Sequence, residues 1–265
     1  MSYLLIDLSY YTFYRIYALL TWYKHTNPES EETTDEIVNK EMFKEKIEKM
    51  FIQKIKELLK KYSIEPNKCI LAKDCRRSDI WRNDHIDKYK DGRNNNIPGS
   101  IHKYIYEEIV PKVIDKLKIG IIDNERTEAD DIVYIIKTLI RDKGSDKVTI
   151  IANDHDYLQL LDDNTFIYSL QNKCLNDKSV GNPEHDLLSK IIMGDKSDNI
   201  GKVFPKCGKK TLQKYLDDRE LLNTMLDKNI EYREKFEQNK LIISFIMIPQ
   251  DIKDQVKEKA IKFIK

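Results

Sequence analysis

The sequence has little cysteine, glycine or proline: four, eight and seven residues respectively in 265. Its cysteines form no CxxC pair, so a zinc site is not expected, and free thiols fit a reducing compartment. No apolar run reaches 18 residues, so no membrane-spanning helix is predicted. The short start before Asp7 also lacks the basic residues and long apolar stretch of a signal peptide. We therefore expect an intracellular protein. The cysteines are Cys69, Cys75, Cys174 and Cys207.

An excess of charge of one sign is also missing. Lysine and arginine number 46 and aspartate and glutamate 45, which gives a formal net charge of +1. Nucleic-acid-binding proteins usually have a basic excess. The average does not exclude this class, because a carboxylate-rich metal pocket would cancel a basic surface elsewhere. A Walker-type glycine-rich loop is absent too, which argues against hydrolysis of a nucleoside triphosphate.

Short apolar runs alternate with helical patterns along the first two thirds of the chain. This alternation predicts an α/β fold with a mostly parallel central sheet, flanked by helices. In such sheets, ligands bind beyond the carboxyl ends of the strands. The predicted strands are residues 3–8, 69–72, 119–122, 148–152 and 165–168, and the predicted helices are 44–62, 101–117 and 129–143.

Three other segments depart from this alternation. Residues 27–39 are polar and acidic and are predicted to form a loop. Residues 73–98 are rich in charge and are predicted to form an exposed loop-and-helix segment beside the ligand crevice. From about residue 186 the pattern is helical, with a turn signal at 201–208. We expect a nuclease-like core over 1–185 and a helical lobe over 186–265.

Carboxylates follow the predicted strands or begin the predicted helices. Asp7 and Asp74 each follow an apolar run, where a single aspartate is often only a helix cap. Glu128 and Asp131 lie on one face of a helix start, with Asp130 between them. Three carboxylates in four positions repel one another, and a bound cation would make them tolerable.

Two further acidic pairs lie later in the chain. Asp154 and Asp156 follow a strand at a spacing that aims both side chains the same way, and Asp195 and Asp198 lie at a predicted turn. Either pair could instead shape a turn or cap a helix. Oxygen-only ligands suit Mg²⁺ or Mn²⁺ rather than zinc. Two such ions a few ångströms apart can activate water and stabilise the leaving oxygen of a phosphodiester.

Four sequence blocks give these carboxylates a family context. The chain resembles the flap endonuclease/5′–3′ exonuclease family, which includes bacteriophage members and the nuclease domain of bacterial DNA polymerase I. The resemblance extends from Asp7 to about Leu216, with matching order and spacing. Its most specific blocks are Glu128-Ala129-Asp130-Asp131, Asp154-His155-Asp156, Gly194-Asp195-Lys196-Ser197-Asp198-Asn199-Ile200, and Trp81-Arg82 followed by Tyr89-Lys90-Asp91-Gly92-Arg93.

The resemblance implies roles for these positions. Asp7, Asp74, Glu128 and Asp130 would hold a first metal ion, and Asp131 would lie between the two sites. The second ion would be held or oriented by Asp154, Asp156, Asp195 and Asp198. Lys90 and Arg93 would contact the scissile phosphate at the base of a helical arch, formed by about residues 79–105. Tyr89 would stack on a base, and Arg82 would also contact nucleic acid.

The resemblance further implies a helix–turn–helix element that grips duplex DNA and binds K⁺ through backbone carbonyls. This chain departs from the family there, with one inserted residue and fewer glycines in the turn. The residues that still suit phosphate contact are Lys206, Gly208, Lys209, Lys210 and Thr211.

The function that the resemblance implies is a structure-specific 5′ nuclease, acting as exonuclease and flap endonuclease. Its substrate would be DNA with a 5′ flap, nick or overhang, or primer RNA, during replication or repair. Two Mg²⁺ ions would serve, with Mn²⁺ as a substitute. We expect a monomer without a membrane partner, and the carboxyl terminus shows no sliding-clamp peptide. A PIN-type endoribonuclease and a catalytically inactive DNA-binding scaffold are the alternatives.

Overall fold

A five-stranded sheet forms the centre of the protein in the computed structural model, which describes residues 2–92, 97–144, 147–180 and 182–264. The strand order is β3-β2-β1-β4-β5, and every neighbouring pair is parallel. The predicted α/β class with a mostly parallel sheet is confirmed, and the predicted strand ends differ by at most one residue. The strands are β1 (Ser2–Asp7), β2 (Cys69–Lys73), β3 (Gly120–Asp123), β4 (Lys147–Ile151) and β5 (Thr165–Tyr168).

Helices surround the sheet and make up the carboxyl-terminal part of the chain. Helices α4 and α5 form one continuous helix, because a single π-helical turn, Ile105–Ile109, joins them. The α-helices are α1 (Leu8–Thr26), α2 (Thr34–Asn39), α3 (Glu41–Tyr62), α4 (Gly99–Tyr104), α5 (Val110–Leu117), α6 (Ala129–Lys143), α7 (Pro183–Met193), α8 (Lys209–Asp217), α9 (Arg219–Asp227), α10 (Ile230–Ile243) and α11 (Gln250–Ala260).

The two faces of the sheet carry separate apolar cores. Successive side chains of a strand point to opposite faces, so Leu4 and Ile6 pack with residues of α1, α3 and α5. Tyr3 and Leu5 pack on the other face with residues of α6 and α11. Burial on both faces explains why β1 is a continuous apolar run rather than an alternating one.

The prediction of a loop over residues 27–39 is wrong for its second half. Residues 34–39 form α2, and Thr33 caps it by accepting a hydrogen bond from the amide of Glu36. The Glu36 carboxylate accepts from the Thr33 amide in return, which completes a capping box. Ile37 and Val38 are buried against the first core. The polar composition concealed a helix start that is encoded by the Thr-x-x-Glu spacing.

The segment predicted as an arch lies partly against the carboxyl-terminal helices, whereas its residues Ile97, Ile101 and Ile105 pack in the first core. It contains short 3₁₀ turns at Arg77–Asp79 and Trp81–Asp84, and helix resumes at Gly99. Tyr89 is buried with Ile191 of α7 and Ile242 of α10. Residues 93–96, including Arg93, lie outside the described residues.

The carboxyl-terminal helices form their own small core, and the last one returns to the sheet. A hairpin at residues 201–208 connects α7 to α8. Leu188 of α7, Phe204 of this hairpin and Leu222 of α9 pack together. Helix α11 instead contacts α6 and β3. The boundary predicted at residue 186 falls inside α7, and α11 packs with the core of the sheet rather than with α7 to α10. None of the described helices is both long and apolar enough to cross a membrane.

Candidate active site

Two carboxylates lie side by side at the carboxyl edge of the sheet. Asp7 ends β1 and also caps α1, with one oxygen accepting from the amide of Tyr10 and the other from the hydroxyl of Tyr157, both at 2.9 Å. Asp74 follows β2 and accepts from the Ala129 amide at 2.7 Å and from the Ser9 hydroxyl. Asp7 thus caps α1 and also lies beside Asp74, because the adjacent parallel strands β1 and β2 end at the same edge of the sheet.

The start of α6 adds three more carboxylates. Ligand atoms of Glu128, Asp130 and Asp131 all lie within 4.8 Å of one another. Glu128 accepts a hydrogen bond from Arg82 at 2.8 Å and is paired with the ammonium of Lys90. Burial alone would raise the pKa of Glu128, but the two cations outweigh it and lower that pKa.

Asp131 pairs with Arg82, whereas the partly buried carboxylates of Asp7, Asp74 and Asp130 have no ion-pair partner among the described residues. Burial and the adjacent Asp74 raise the pKa of Asp7 to about 7. Burial raises the pKa of Asp74 as well. Burial, Glu128 and Asp131 raise the pKa of Asp130 well above its usual range. Partly buried carboxylates that repel one another fit a hard divalent cation, which would favour their ionised forms.

A second acidic group lies beyond β4 and at the end of α7. Asp154 caps the 3₁₀ turn His155–Leu160 and is exposed. The ammonium of Lys190 contacts Asp156 and lies 3.0 Å from Asp195. Burial would raise the pKa of Asp195, but the Ser197 hydroxyl and Lys190 hold it at about 2. Lys190 therefore neutralises this group internally, and a cation binding between Asp156 and Asp195 would have to displace its ammonium.

The fourth carboxylate of the second acidic group, that of Asp198, lies between the first and the second acidic groups. Asp198 is 3% exposed, and its carboxylate is 4.0 Å from the Lys90 ammonium, which also contacts Glu128. The backbone amide of Lys90 donates to the Asp198 carbonyl at 3.3 Å. Lys90 thus connects the two acidic groups through its side chain and its main chain.

Open clefts lead to both groups. Asp74, Glu128 and Lys90 line a cleft of about 1170 Å³, whose wall includes Phe13 and the stacked rings of His102 and Tyr106, 4.4 Å apart. Asp154, Lys190 and Asp195 line a second cleft of about 570 Å³. The remaining basic residues that line the first cleft are Lys73, Arg76, Arg77, Lys103, Arg126 and Lys259.

Two of the predicted nucleic-acid contacts do not fit this geometry. Arg82 is 2% exposed and pairs with Glu128 and Asp131. Tyr89 is 7% exposed, and its hydroxyl donates to Glu128 at 3.1 Å. The polar atoms of both side chains bind Glu128 or Asp131 inside the protein. They therefore support the acidic group and do not present a surface to a base or phosphate. The predicted contact Arg93 lies outside the described residues.

The predicted duplex-binding residues lie on the surface. Lys206, Lys209 and Lys210 are exposed, and Gly208 immediately precedes the first turn of α8. Thr211 is partly buried. A helix start with free amides and lysines beside it is a favourable place for a phosphate.

Sequence reasoning missed three residues that shape the site: Ser9, Tyr157 and Lys190. Ser9 lies two positions after Asp7, and its placement in the first turn of α1 was a usable signal. Tyr157 donates to Asp7 from 150 positions away. Lys190 meets Asp156 only because α7 packs against the turn that follows Asp154. Neither of these two contacts has a local sequence signal.

Divalent cations are expected to stabilise the protein, because they would relieve the repulsion among Asp7, Asp74 and Asp130. Saturation at about 100 times the dissociation constant adds about 2.7 kcal/mol, which corresponds to a rise of about 5–10 °C in Tm for a chain of this size. Thermal unfolding with Mn²⁺ against a chelator measures this. A monovalent salt at equal ionic strength serves as the comparison, and an equal Tm in Mn²⁺ and chelator would contradict the expectation.

Three kinds of comparison relate this geometry to known proteins. Residues 2–184 match the family model described as 5′-3′ exonuclease, N-terminal resolvase-like domain. The chain is 28% identical to a ribonuclease H of Enterobacteria phage T4, over 71% of this chain and 68% of that protein. It is 26% identical to a 5′-3′ exonuclease of Buchnera aphidicola, over 75% of this chain and 76% of that protein.

Solved structures share the fold along the whole chain. The T5 D15 protein co-crystallised with metal ions has a TM-score of 0.70 at 17% identity, covering all of both chains. A complex of the T5 D15 flap endonuclease with DNA and metal ions has a TM-score of 0.69 at 18% identity, covering 100% of this chain and 99% of that one. At this level of identity the similarity concerns the fold.

Proposed function

The chain belongs to the 5′–3′ exonuclease family and is a metal-dependent nuclease, and on that premise we propose that it cuts DNA or primer RNA at 5′ flaps, nicks and overhangs. The observation that carries this proposal is the meeting of two acidic groups at one edge of the sheet, with Lys90 contacting both. A phosphodiester held in the adjoining cleft would lie beside both groups. Similarity to a flap endonuclease seen with DNA supports the choice of substrate.

The first acidic group would hold one divalent ion through Asp7, Asp74, Glu128 and Asp130. Asp154, Asp156, Asp195 and Asp198 would hold or orient the second. The ions, which we propose to be Mg²⁺ with Mn²⁺ as a substitute, would activate water and stabilise charge on the phosphate when bound. These assignments follow the family motifs and the oxygen chemistry of the carboxylates, and the raised pKa values of Asp7, Asp74 and Asp130 support the first ion.

Lys90 would bind the scissile phosphate and stabilise the charge that develops on it. Its ammonium lies in the cleft wall and is held by Glu128, so the cation is positioned before substrate arrives. A preorganised cation of this kind needs little reorganisation during reaction. Arg93 would serve the same phosphate from the arch.

The hairpin before α8 would hold the downstream duplex. Asn239 fixes this hairpin to α10, because its side-chain amide donates to the carbonyls of Ile191 and Gly201, both at 2.8 Å. A K⁺ ion is part of the proposal, but it would have to use other carbonyls than these two as its main ligands. The turn also requires glycine at 194, where φ is +65° and an added Cβ would lie 2.4 Å from the Ile200 carbonyl oxygen.

Cleavage of a 5′-labelled flap duplex with Mg²⁺ or Mn²⁺ tests the function. We expect cutting near the junction by the wild-type protein and none by Asp154→Asn/Asp156→Asn, which should still bind the substrate. A chain that binds the flap without cutting it would match the inactive-scaffold alternative. Faster cleavage of single-stranded RNA than of flapped DNA would favour the PIN-type alternative.

The hairpin lysines should affect binding rather than chemistry. For Lys209→Ala/Lys210→Ala we expect weaker duplex binding, with the slope of log K against log salt reduced by about 2, because each lost phosphate contact removes about one unit. The value of kcat should stay near wild type. Lys214→Ala, an exposed lysine at the other end of α8, is the matched control. An unchanged salt slope would place the duplex elsewhere.

A further inference from the structure

Arg82 lies at the junction of three parts of the protein. Its guanidinium donates to both oxygens of Asp131, at 2.8 and 2.7 Å, and to Glu128 at 2.8 Å. Its remaining Nε donates to the carbonyl of Ile242, near the end of α10, at 2.7 Å. One buried side chain therefore connects the beginning of the arch segment, the start of α6 and the carboxyl-terminal helices.

Asp131 has little capacity left for a metal ion. Its Oδ2 accepts from Arg82, from the indole of Trp81 at 3.0 Å and from the amide of Glu128 at 3.4 Å. Its Oδ1 accepts from Arg82, and the residue is 0% exposed. A carboxylate offers about four lone-pair directions, so three donors on one oxygen leave that oxygen saturated. The short distance from Asp131 to its acidic neighbours would by itself suggest that Asp131 is a metal ligand. Its hydrogen bonds instead indicate that Asp131 holds Arg82 in place.

Resting on the proposed function, we propose that Arg82 is a positioning residue, anchored by Asp131, that fixes Glu128 and couples the docking of α10 to the geometry of the first metal site. Asp131 then acts through Arg82 and not as a direct ligand. Residues that orient metal ligands typically matter about 10–100-fold in metal affinity or activity. The coupling makes the nuclease site dependent on the seating of the carboxyl-terminal helices.

Arg82→Lys tests the role with the charge retained. Lysine is a compact cation and cannot reproduce the planar fork that reaches Asp131, Glu128 and Ile242 together. We expect Mn²⁺ affinity in calorimetry without DNA to fall about 10-fold or more, and kcat about 10–100-fold. Amide exchange should rise together at the first turn of α6 and at the end of α10.

Lys137→Met provides the matched control. Lys137 is another buried cation on α6, paired with Asp162 at 2.5 Å, but it lies away from the site. This variant should lower Tm and leave Mn²⁺ affinity and kcat unchanged. If Arg82→Lys behaves in the same way, Arg82 has only a structural role and the proposal fails. An exchange increase confined to residues 80–84 would overturn the coupling to α10.

The double variant Arg82→Leu/Asp131→Leu tests whether Asp131 holds Arg82 in place or binds a metal ion directly. Replacing a buried ion pair by apolar residues often preserves folding. The proposal expects the wild-type number of bound Mn²⁺ ions with lower affinity, whereas loss of one ion would identify Asp131 as a ligand. If this double variant does not fold, Arg82→Lys and its control still decide. Mn²⁺ binding and amide exchange need no substrate, so a wild-type protein that fails to cut DNA would count against the proposed function alone.

Discussion

Asp130→Asn is expected to abolish cleavage while retaining substrate binding in Ca²⁺. The carboxylate is partly buried at the start of α6, and no described ion pair involves it; its one described hydrogen bond comes from the Asp131 amide at 2.7 Å. Asparagine keeps the size and this bond but removes the negative charge that would hold the metal. Loss of several kcal/mol of transition-state stabilisation corresponds to about 10³-fold or more in kcat. Single-turnover cleavage of a labelled flap measures it.

The same substitution should stabilise the protein in chelator. The pKa of Asp130 is raised in the folded state, so its ionised form lowers stability at pH values above the ordinary carboxyl range. Removing that charge should raise Tm by about 2–4 °C for each kcal/mol relieved. Asp163→Asn, an exposed aspartate before β5 and at the opposite edge of the sheet, is the control. A destabilised Asp130→Asn protein would show that the carboxylate contributes to folding instead.

Lys90→Met is expected to lower kcat by about 10²–10³-fold, the effect of removing one preorganised charge-stabilising group. The Lys90 ammonium contacts Glu128 and faces the cleft. KM should change much less, because the hairpin lysines would still hold the duplex. Arg82 remains beside Glu128, so the acidic group keeps one cation and the fold should persist. Rapid-quench kinetics at saturating substrate separates the two parameters.

Lys88→Met is the matched control for Lys90→Met. It removes the same charge two positions away, from an exposed side chain whose backbone also has positive φ. Near-wild-type cleavage is expected. An equal loss in both variants would show that general attraction of DNA, rather than a positioned contact, accounts for the effect. Lys90→Arg should retain part of the activity, since the positive charge is kept.

The acidic residues could be predicted from sequence because their positions follow from local rules. Asp7 and Asp74 come directly after apolar runs, and parallel strands bring such positions to a common edge. Glu128 and Asp130 begin a helix whose predicted bounds, 129–143, agree with α6. The capping box of Thr33 and Glu36 was equally local, but the polar composition of the segment led to the prediction of a loop.

The roles of basic and aromatic side chains could not be predicted in this way. Arg82 and Tyr89 lie in a charged, hydrophilic segment, and their burial depends on contact with α10, about 160 positions later. Lys190 pairs with Asp156 only after α7 has docked. Long side chains are directed by whichever partner the fold brings near, whereas a carboxylate that follows a strand is placed by the strand itself.

The sequence by itself determined the parallel sheet, the acidic edge and the family, because strand burial, helix starts and motif spacing are encoded within a few residues. Tertiary structure alone decided which charges face each other. It turned Arg82 inward, set Lys190 between two aspartates, and left Asp7, Asp74 and Asp130 partly buried without a described ion-pair partner. Such pairings depend on distance and burial between remote segments, and these arise only when the helices have packed against the sheet.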